Sequence, residues 1–353
     1  MNTILRIIKK TFISITIVFV FFANLAVAQM TTFSQGDILS AGAMNQNFKH
    51  LQDQFSWNKK EIDCSTDNLT GTINDGYNHI VINGNCSISG LATGGLDASR
   101  YCVLDFEHNP VQFLKIEGKT GKSTDSITIG NTGTCGQLLG SFGGSLELSN
   151  MTINTNKISA NNGGTLRILD STIDAENDAD SNEISANKAL MLMENVTMEH
   201  HLDFSQAATG DLQNISNASN KDIKGQENSF MRLDNVTARK IEVYQKTVVD
   251  LRNSTINCSG TSQECVRVQS SSYINIEQST LTFDDSVSGI IIDSFSEVEL
   301  DTVTINSNST SATISVNGPF AYLSTKTTTV PGTVACGNNV VAWSNTDMQS
   351  ICE

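Results

Sequence analysis

Two short stretches of the same form decide the fold: MRLDNVTA at residues 231–238 and VDLRNSTI at residues 249–256. Both read apolar-x-apolar-x-Asn-x-Thr-apolar, and the pattern recurs every ~22 residues, a period typical of solenoid proteins. Thr128 begins the series less perfectly than the later repeats. The Thr or Ser of the later repeats is Thr152, Thr172, Thr197, Ser216, Thr237, Thr255, Thr280 or Thr304.

Two mainly apolar columns lie six and four residues before this Thr or Ser. Positions two residues apart share one face of a strand, so both columns are predicted to point into the core. The first column is Leu146, Leu166, Met191, Gly210, Met231, Val249, Ile274 and Val298. The second column is Leu148, Ile168, Met193, Leu212, Leu233, Leu251, Ile276 and Leu300.

A third apolar column follows the Thr directly and is out of phase with the second, so the chain must bend between them. The bend is predicted two residues before the Thr. Asn tolerates the left-handed conformation best among non-glycine residues, and stacked Asn side chains can hydrogen-bond between coils. The bend residues are Asn150, Asp170, Asn195, Asn214, Asn235, Asn253, Gln278 and Thr302. The third column is Ile153, Ile173, Met198, Ala238, Ile256, Leu281 and Ile305.

The repeated pattern resembles the right-handed parallel β-helix family, which includes pectate lyases, polygalacturonases, phage tailspikes and many bacterial surface proteins. The resemblance covers about residues 64–330, and HIVINGNC at 79–86 looks like the first coils of secreted bacterial members. It implies an all-β fold, a right-handed parallel β-helix solenoid with a short N-terminal helical segment. It implies nothing specific about activity, because fold does not determine function on this scaffold.

The N-terminal residues have the layout of a secretory signal peptide. Basic residues precede an apolar run over 11–25, and AVA at 26–28 supplies a small-residue cleavage site. We therefore predict a signal peptide over 1–28, with an uncleaved membrane anchor as the alternative. The mature chain is expected in the medium, at the cell surface or in the periplasm, without a membrane span. The formal net charge of −15 disfavours nucleic acid as a partner.

The β-helix is predicted over 63–330, with a C-terminal cap over 331–353, because an open terminal coil would expose unpaired strand edges. Residues 29–62 are predicted to form a helical neck or an N-terminal cap. A neck would make a homo-oligomer, such as a trimer, through residues 31–62. The alternative is an amphipathic helix over the first coil. The heptad-spaced residues are Met44, Phe48, Leu51, Phe55 and Ile62, with Asn58 at the polar position.

The eight cysteines all follow the predicted signal peptide. An even number in an exported chain predicts disulfide bonds, although the connectivity stays open. The candidate pairs are Cys258 with Cys265, Cys336 with Cys352, Cys64 with Cys86, and Cys102 with Cys135.

Charged residues on the outward strand faces are the first candidate sites. Opposite charges fall on neighbouring coils, so we interpret the arginines as members of a surface charge ladder rather than as bases of a pectate-lyase-like site. The residues concerned are Glu147, Arg167, Asp211, Arg232, Asp234, Asp250, Arg252, Glu277 and Glu299.

Three other groups are candidates for catalysis or metal binding. Asp284 and Asp285 are all that is present of the polygalacturonase motif set, and solvated turn acids are the simpler interpretation. Glu199, His201 and Asp203 would form a divalent-metal trio if the strand through Met198 and Leu202 is regular, with His200 facing inward. The acidic insertion from Asp174 to Glu183 begins like a calcium loop but lacks the EF-hand glycine and distal glutamate.

We therefore assign no catalytic, cofactor-binding or metal-binding residue, and no cofactor. The leading hypothesis is a non-catalytic secreted or cell-surface β-helix with a structural or adhesive role. Its partner would be an extracellular glycan or a surface protein. The alternatives are a polysaccharide lyase or glycoside hydrolase with a non-standard site, and a calcium-dependent glycan-binding module.

Overall fold

The computed structural model describes residues 58–88, 102–105, 113–129, 138–155, 157–175, 182–217, 221–259, 264–283, 289–307, 313–338, 340–344 and 349–350. The predicted signal peptide and residues 29–57 of the predicted neck lie outside these residues. The described part is an all-β parallel β-helix, as predicted, in which each full coil contributes to three parallel ladders of strands.

The first ladder precedes the Asn bend and runs through the whole stack. Neighbouring strands pair in parallel with continuous register. Its strands are Lys59–Asp63, His79–Asn83, Phe113–Gly118, Ser145–Ser149, Thr165–Leu169, Leu190–Met198, Thr209–Asn217, Phe230–Ala238, Val248–Arg252, Tyr273–Glu277, Glu297–Asp301, Tyr322–Lys326 and Val341–Ser344.

The second ladder follows the bend. In three coils the strand continues through the bend, so Leu190–Met198, Thr209–Asn217 and Phe230–Ala238 belong to both ladders. The remaining strands are Asn85–Ile88, Ser126–Ile129, Thr152–Asn154, Thr172–Asp174, Thr255–Asn257, Thr280–Phe283 and Thr304–Ser307.

The third ladder forms a separate sheet of 11 strands, and no repeated sequence pattern predicted it. Its strands are Cys102–Asp105, Leu138–Phe142, Lys157–Asn161, Glu183–Asn187, His201–Ser205, Asp222–Gly225, Lys240–Val243, Val266–Val268, Ile290–Ile292, Ile314–Val316 and Val334–Cys336. The one helix in the described part is Leu69–Asn74, with Asn68 as its N-cap.

The predicted core columns are confirmed. The apolar side chains of the first two columns are at most 1% exposed, and each residue pairs in register with the equivalent one on the next coil. The third column is also buried. Full burial of one such side chain contributes roughly 1.5–3 kcal/mol, and the stack repeats that contribution coil after coil.

The predicted bend is confirmed at all eight positions, each of which has a φ between 50° and 58°. In the middle of the stack the bend side chains form a ladder of hydrogen bonds. Asn195 donates to Asp170 over 2.8 Å, Asn214 to Asn195 over 2.9 Å, and Asn235 to Asn214 over 2.8 Å. Asn253 leaves the ladder and donates to the Asp234 carboxylate instead.

The start of the Thr series needs one correction. The residue paired with Thr152 on the preceding coil is Ser126, whereas Thr128 pairs with Asn154. Thr128 therefore lies two residues beyond the predicted position. Its side chain still points outward, because a shift of two residues preserves the face of a strand.

Both ends of the described stack extend beyond the repeats used to predict the core. Residues 59–62, which were included in the predicted helical neck or N-terminal cap, form a strand, and Ile62 of the heptad series is 1% exposed in the core. Val334–Cys336 and Val341–Ser344, within the predicted cap, continue the third and first ladders. The strand Gln349–Ser350 then pairs antiparallel with Val341–Ser344.

Two of the predicted disulfides are confirmed: Cys64–Cys86 and Cys258–Cys265. Cys336 is also disulfide-bonded, but its predicted partner Cys352 lies outside the described residues. Cys135 of the remaining predicted pair lies outside them as well.

Candidate functional site on the outward faces

The predicted charge ladder is present on the outward face of the first ladder. A terminal nitrogen of Arg167 lies 2.7 Å from Glu147, and Lys115 extends the ladder by lying 3.1 Å from the same carboxylate. Arg232 lies 3.9 Å from Asp211. These arginines therefore have acidic neighbours that account for their positions.

Arg252 occupies the predicted place between Asp234 and Glu277 in the strand register. Its closest carboxylate belongs to Asp250 of the same strand, at 3.0 Å, and Glu277 lies 3.6 Å away. The Arg252 side chain is about half exposed, so solvent screens both pairs and they contribute little to stability.

A more buried ion cluster lies on the third ladder. The Lys240 ammonium lies 2.7 Å from Glu242 and 3.0 Å from Glu264, and Arg267 lies 3.1 Å from the same Glu264 oxygen. Burial opposes the charged form of Lys240, but its hydrogen bonds to the two glutamates outweigh burial and raise its pKa. Arg267 also lies 3.7 Å from Asp293, so the cluster has two cations and three carboxylates, and each carboxylate has a cationic neighbour.

The conditional metal trio of Glu199, His201 and Asp203 is not formed. The first strand ends at Met198 and the next begins at His201, so Glu199 and His200 lie in the corner between two ladders. His201 Nδ1 instead accepts a hydrogen bond from the Asp222 backbone N–H at 3.1 Å. Within the described ranges, no group of three or more His, Cys, Asp or Glu residues is placed to hold a metal ion.

His200 faces inward as predicted and is fully buried. Its Nε2 lies 2.8 Å from the Thr155 carbonyl oxygen and donates to it, while Nδ1 has no hydrogen-bond partner among the described residues. Burial lowers the pKa of His200 to about 4. This histidine is therefore a neutral core residue at neutral pH.

Two predicted acidic candidates cannot be placed in a site. Asp284 and Asp285 lie outside the described residues, as does the centre of the acidic insertion, 176–181. At the edges of that insertion, Asp174 ends a second-ladder strand and Glu183 begins a third-ladder strand.

The five large apolar side chains that are exposed in the described part all lie along one side of the first ladder. We call them the apolar edge. Three begin first-ladder strands, and two occupy the turns that precede such strands. They are Phe230 (45% exposed), Val248 (38%), Phe295 (58%), Phe320 (70%) and Val341 (50%).

The strand register makes the apolar edge continuous. Phe230, Val248, Tyr273, Glu297, Tyr322 and Val341 pair in succession on six neighbouring coils. At ~4.8 Å per coil, these five steps span about 24 Å. Phe295 and Phe320 lie two residues before Glu297 and Tyr322, and their rings stack with centroids 5.3 Å apart.

The two phenylalanines occupy a turn position with left-handed backbone. Its φ is 60° at Phe295 and 59° at Phe320. This conformation disfavours bulky residues. On earlier coils, the position two residues before the first-ladder strand is occupied by Gly143, Gly163, Lys188, Ala207, Asn228, Lys246 and Ser271, all with positive φ.

Two carboxylates and a phenol accompany the apolar edge. The Tyr273 hydroxyl donates to Glu299 over 2.8 Å. Glu297 begins the same strand as Glu299. Its pKa is raised, mainly because the carboxyl group is partly buried and also because Glu299 repels its charged form. Among the described residues, neither glutamate has a Lys, Arg or His nitrogen within ion-pair distance.

Sequence reasoning missed the apolar edge, because its two turn residues fall outside the apolar columns. The detectable signal was the turn position itself, counted two residues before each first-ladder strand. Small or polar residues occupy it through Ser271, and Phe occupies it on the next two coils.

No family model, curated protein or solved structure matches the chain. The one helix of the described part, Leu69–Asn74, is not long and apolar enough to cross a membrane.

Proposed function

We propose that the protein is a non-catalytic extracellular β-helix with an adhesive or structural role. The observation that carries this proposal is the apolar edge, which gathers the exposed large apolar side chains of the described part on one side of the stack. Contiguous exposed apolar patches on folded proteins often mark interaction sites.

Two further observations support the extracellular part of the proposal. The described disulfides suit an oxidising compartment, and the predicted signal peptide would direct the chain there. The repeat and the parallel ladders support the further proposal that the chain is similar to the secreted bacterial β-helices of the pectate-lyase-like and tailspike-like kind.

The non-catalytic part rests on the charged outward faces. Arg167, Arg232 and Arg252 each have carboxylates within 4.0 Å, and each carboxylate of the ion cluster at Lys240 has a cationic neighbour. A general acid or base needs a pKa near the working pH and a position against the substrate. The ion-paired groups serve instead to hold neighbouring coils in register.

A second candidate function is polysaccharide cleavage, and Glu297 is the observation that favours it. Glu297 has a raised pKa and lies two residues from Glu299 on one outward face, and glycoside hydrolysis uses a pair of carboxyl groups. The apolar edge would then hold the sugar chain.

The deciding experiment incubates the full chain with acidic and neutral polysaccharides, with and without calcium, and follows unsaturated products and new reducing ends. We expect no product from any substrate. Product that disappears in Glu297→Gln, but persists in the matched outward variant Glu194→Gln, would establish the enzymatic function instead. A melting temperature raised by calcium alone would support the calcium-dependent glycan-binding alternative.

A further inference from the structure

We propose that the apolar edge binds an extended polypeptide segment of a partner, one that carries both apolar and Lys or Arg side chains. This inference rests on the proposed adhesive function and names the chemistry of its partner. The contact would run along the stack, across the coils that contain Phe295 and Phe320.

Phe295 and Phe320 supply the apolar part of the proposed binding surface, at a turn position with left-handed backbone. Left-handed backbone disfavours a bulky residue, and exposure of an aromatic ring to water brings no folding benefit. Earlier coils fold with Asn228, Lys246 or Ser271 at the same position. The fold therefore does not require Phe here, whereas a binding surface does.

Glu297 and Glu299 supply the charged part of the proposed binding surface. Three of the other outward carboxylates on this ladder, Glu147, Asp250 and Asp301, each contact a Lys or Arg nitrogen at 3.1 Å or less, whereas Glu194 and Asp234 have none within 4.0 Å among the described residues. Within the described ranges, Glu297 and Glu299 have no such nitrogen within 4.0 Å, and burial together with repulsion from Glu299 raises the pKa of Glu297. A cationic partner would relieve this repulsion.

The exposed phenylalanines and the two glutamates lie close enough together for one ligand to contact both. Phe295 precedes Glu297 by two residues, and Tyr273 and Tyr322 flank Glu297 in the strand register. A Lys or Arg side chain could lay its alkyl stem on these rings and place its charge at the carboxylates. The 24 Å column matches an extended peptide of about eight residues.

A polypeptide accounts for both features better than a neutral glycan does. Sugar rings would stack on the phenylalanines and their hydroxyls could donate to the two carboxylates, but a neutral sugar would supply no positive charge to offset the repulsion between them. Partners whose potentials are complementary gain association rate and specificity, and the strongly acidic chain presents such a potential to basic partners.

The test measures binding of the full chain to a fluorescein-labelled eight-residue peptide of alternating Arg and Leu, by fluorescence anisotropy. The matched control peptide has Glu in place of each Arg. We expect the Arg peptide to bind with an affinity that falls as salt is raised, because screening weakens the charge contacts. We expect no binding of the Glu peptide.

Two double variants separate the contributions. Phe295→Asn with Phe320→Asn should lower the affinity for the Arg peptide roughly tenfold or more, since aromatic anchors buried in the complex dominate such contacts. It should fold normally, because Asn suits the left-handed turn. Glu297→Gln with Glu299→Gln should weaken binding and flatten its salt dependence. Ser271→Asn, at the same turn position one coil earlier, is the matched control and should bind like the unchanged protein.

Several results would overturn the inference: no binding of the Arg peptide, equal binding of the Glu peptide, or affinity unchanged in the phenylalanine double variant. Retention of a neutral glycan by Phe295 and Phe320, without peptide binding, would also overturn it while leaving an adhesive role intact. The polysaccharide assay tests the proposed function separately, because formation of product would show that the protein is catalytic.

Discussion

The unfolding free energy of the protein is expected to fall by about 3 kcal/mol more than that of a His200→Gln variant when the pH drops from 7 to 4. The folded pKa of His200 is about 4, below the ordinary histidine value of 6.5. The stabilisation is therefore fully present above pH 6.5 and is lost as the pH falls through 4. Gln can still donate to the Thr155 carbonyl but does not titrate in this range.

The measurement is denaturant unfolding of both proteins at pH 7 and at pH 4. The carboxylates titrate in both proteins, so their contribution cancels in the comparison. Protonated His200 would carry a buried N–H at Nδ1 without an acceptor among the described residues, which is the cause of the loss. An equal acid-induced loss in both proteins would contradict the buried neutral histidine.

Replacement of Phe204 by Ala is expected to lower the unfolding free energy by about 3–5 kcal/mol. Phe204 is fully buried and occupies the space that a side chain at Gly210 would take. A Cβ built at Gly210 would lie 2.5 Å from Phe204 Cε1 and 2.8 Å from Cζ. Gly210→Leu alone should therefore also destabilise the protein, by about 1–3 kcal/mol of overpacking.

The double variant tests this packing directly. Leu at position 210 can fill the space that Phe204→Ala vacates, so the double variant should be more stable than the sum of the single effects by about 1 kcal/mol or more. Phe204→Ala with Leu251→Ala, on a more distant coil, is the control and should be additive. An additive result for the Phe204 and Gly210 pair would refute the contact. Thermal or denaturant unfolding provides the values.

The bend and core columns were predictable because each has a local chemical cause. The eight bend residues mark a left-handed backbone that few residue types tolerate, and the apolar positions around them repeat on every coil. Gly210 looked anomalous in an apolar column. Its explanation is Phe204 on the preceding third-ladder strand, a tertiary contact that no local pattern encodes.

The third ladder was not predictable for a different reason. Its strands are three to five residues long, and the connection that leads to each varies in length from coil to coil. No residue type marks its beginning as Asn marks the bend. The supposed regular strand from Met198 to Leu202 failed there, because the chain turns a corner at Glu199 and His200.

The candidate site was hidden by its dependence on register. Phe295 and Phe320 are separated by a full coil in sequence, and only the stacking of coils brings their rings to 5.3 Å. Composition offered no hint, since the chain is only 6% aromatic. The charge ladder could be predicted because its members fall at fixed distances from the Thr of the repeat.

Engineered disulfides test whether the coils stack in the register that makes the apolar edge continuous. Phe230 and Val248 are register partners on neighbouring coils, ~4.8 Å apart, within the range that a disulfide spans. Cys64 and Cys86 already bridge successive coils with a Cα separation of 4.8 Å.

The measurement is peptide mapping by mass spectrometry of Phe230→Cys with Val248→Cys, against Phe230→Cys with Tyr273→Cys, two coils apart. We expect a disulfide between the new cysteines in the first variant and none in the second. A bridge in the second variant but not in the first would contradict the stacking register and, with it, the continuous edge.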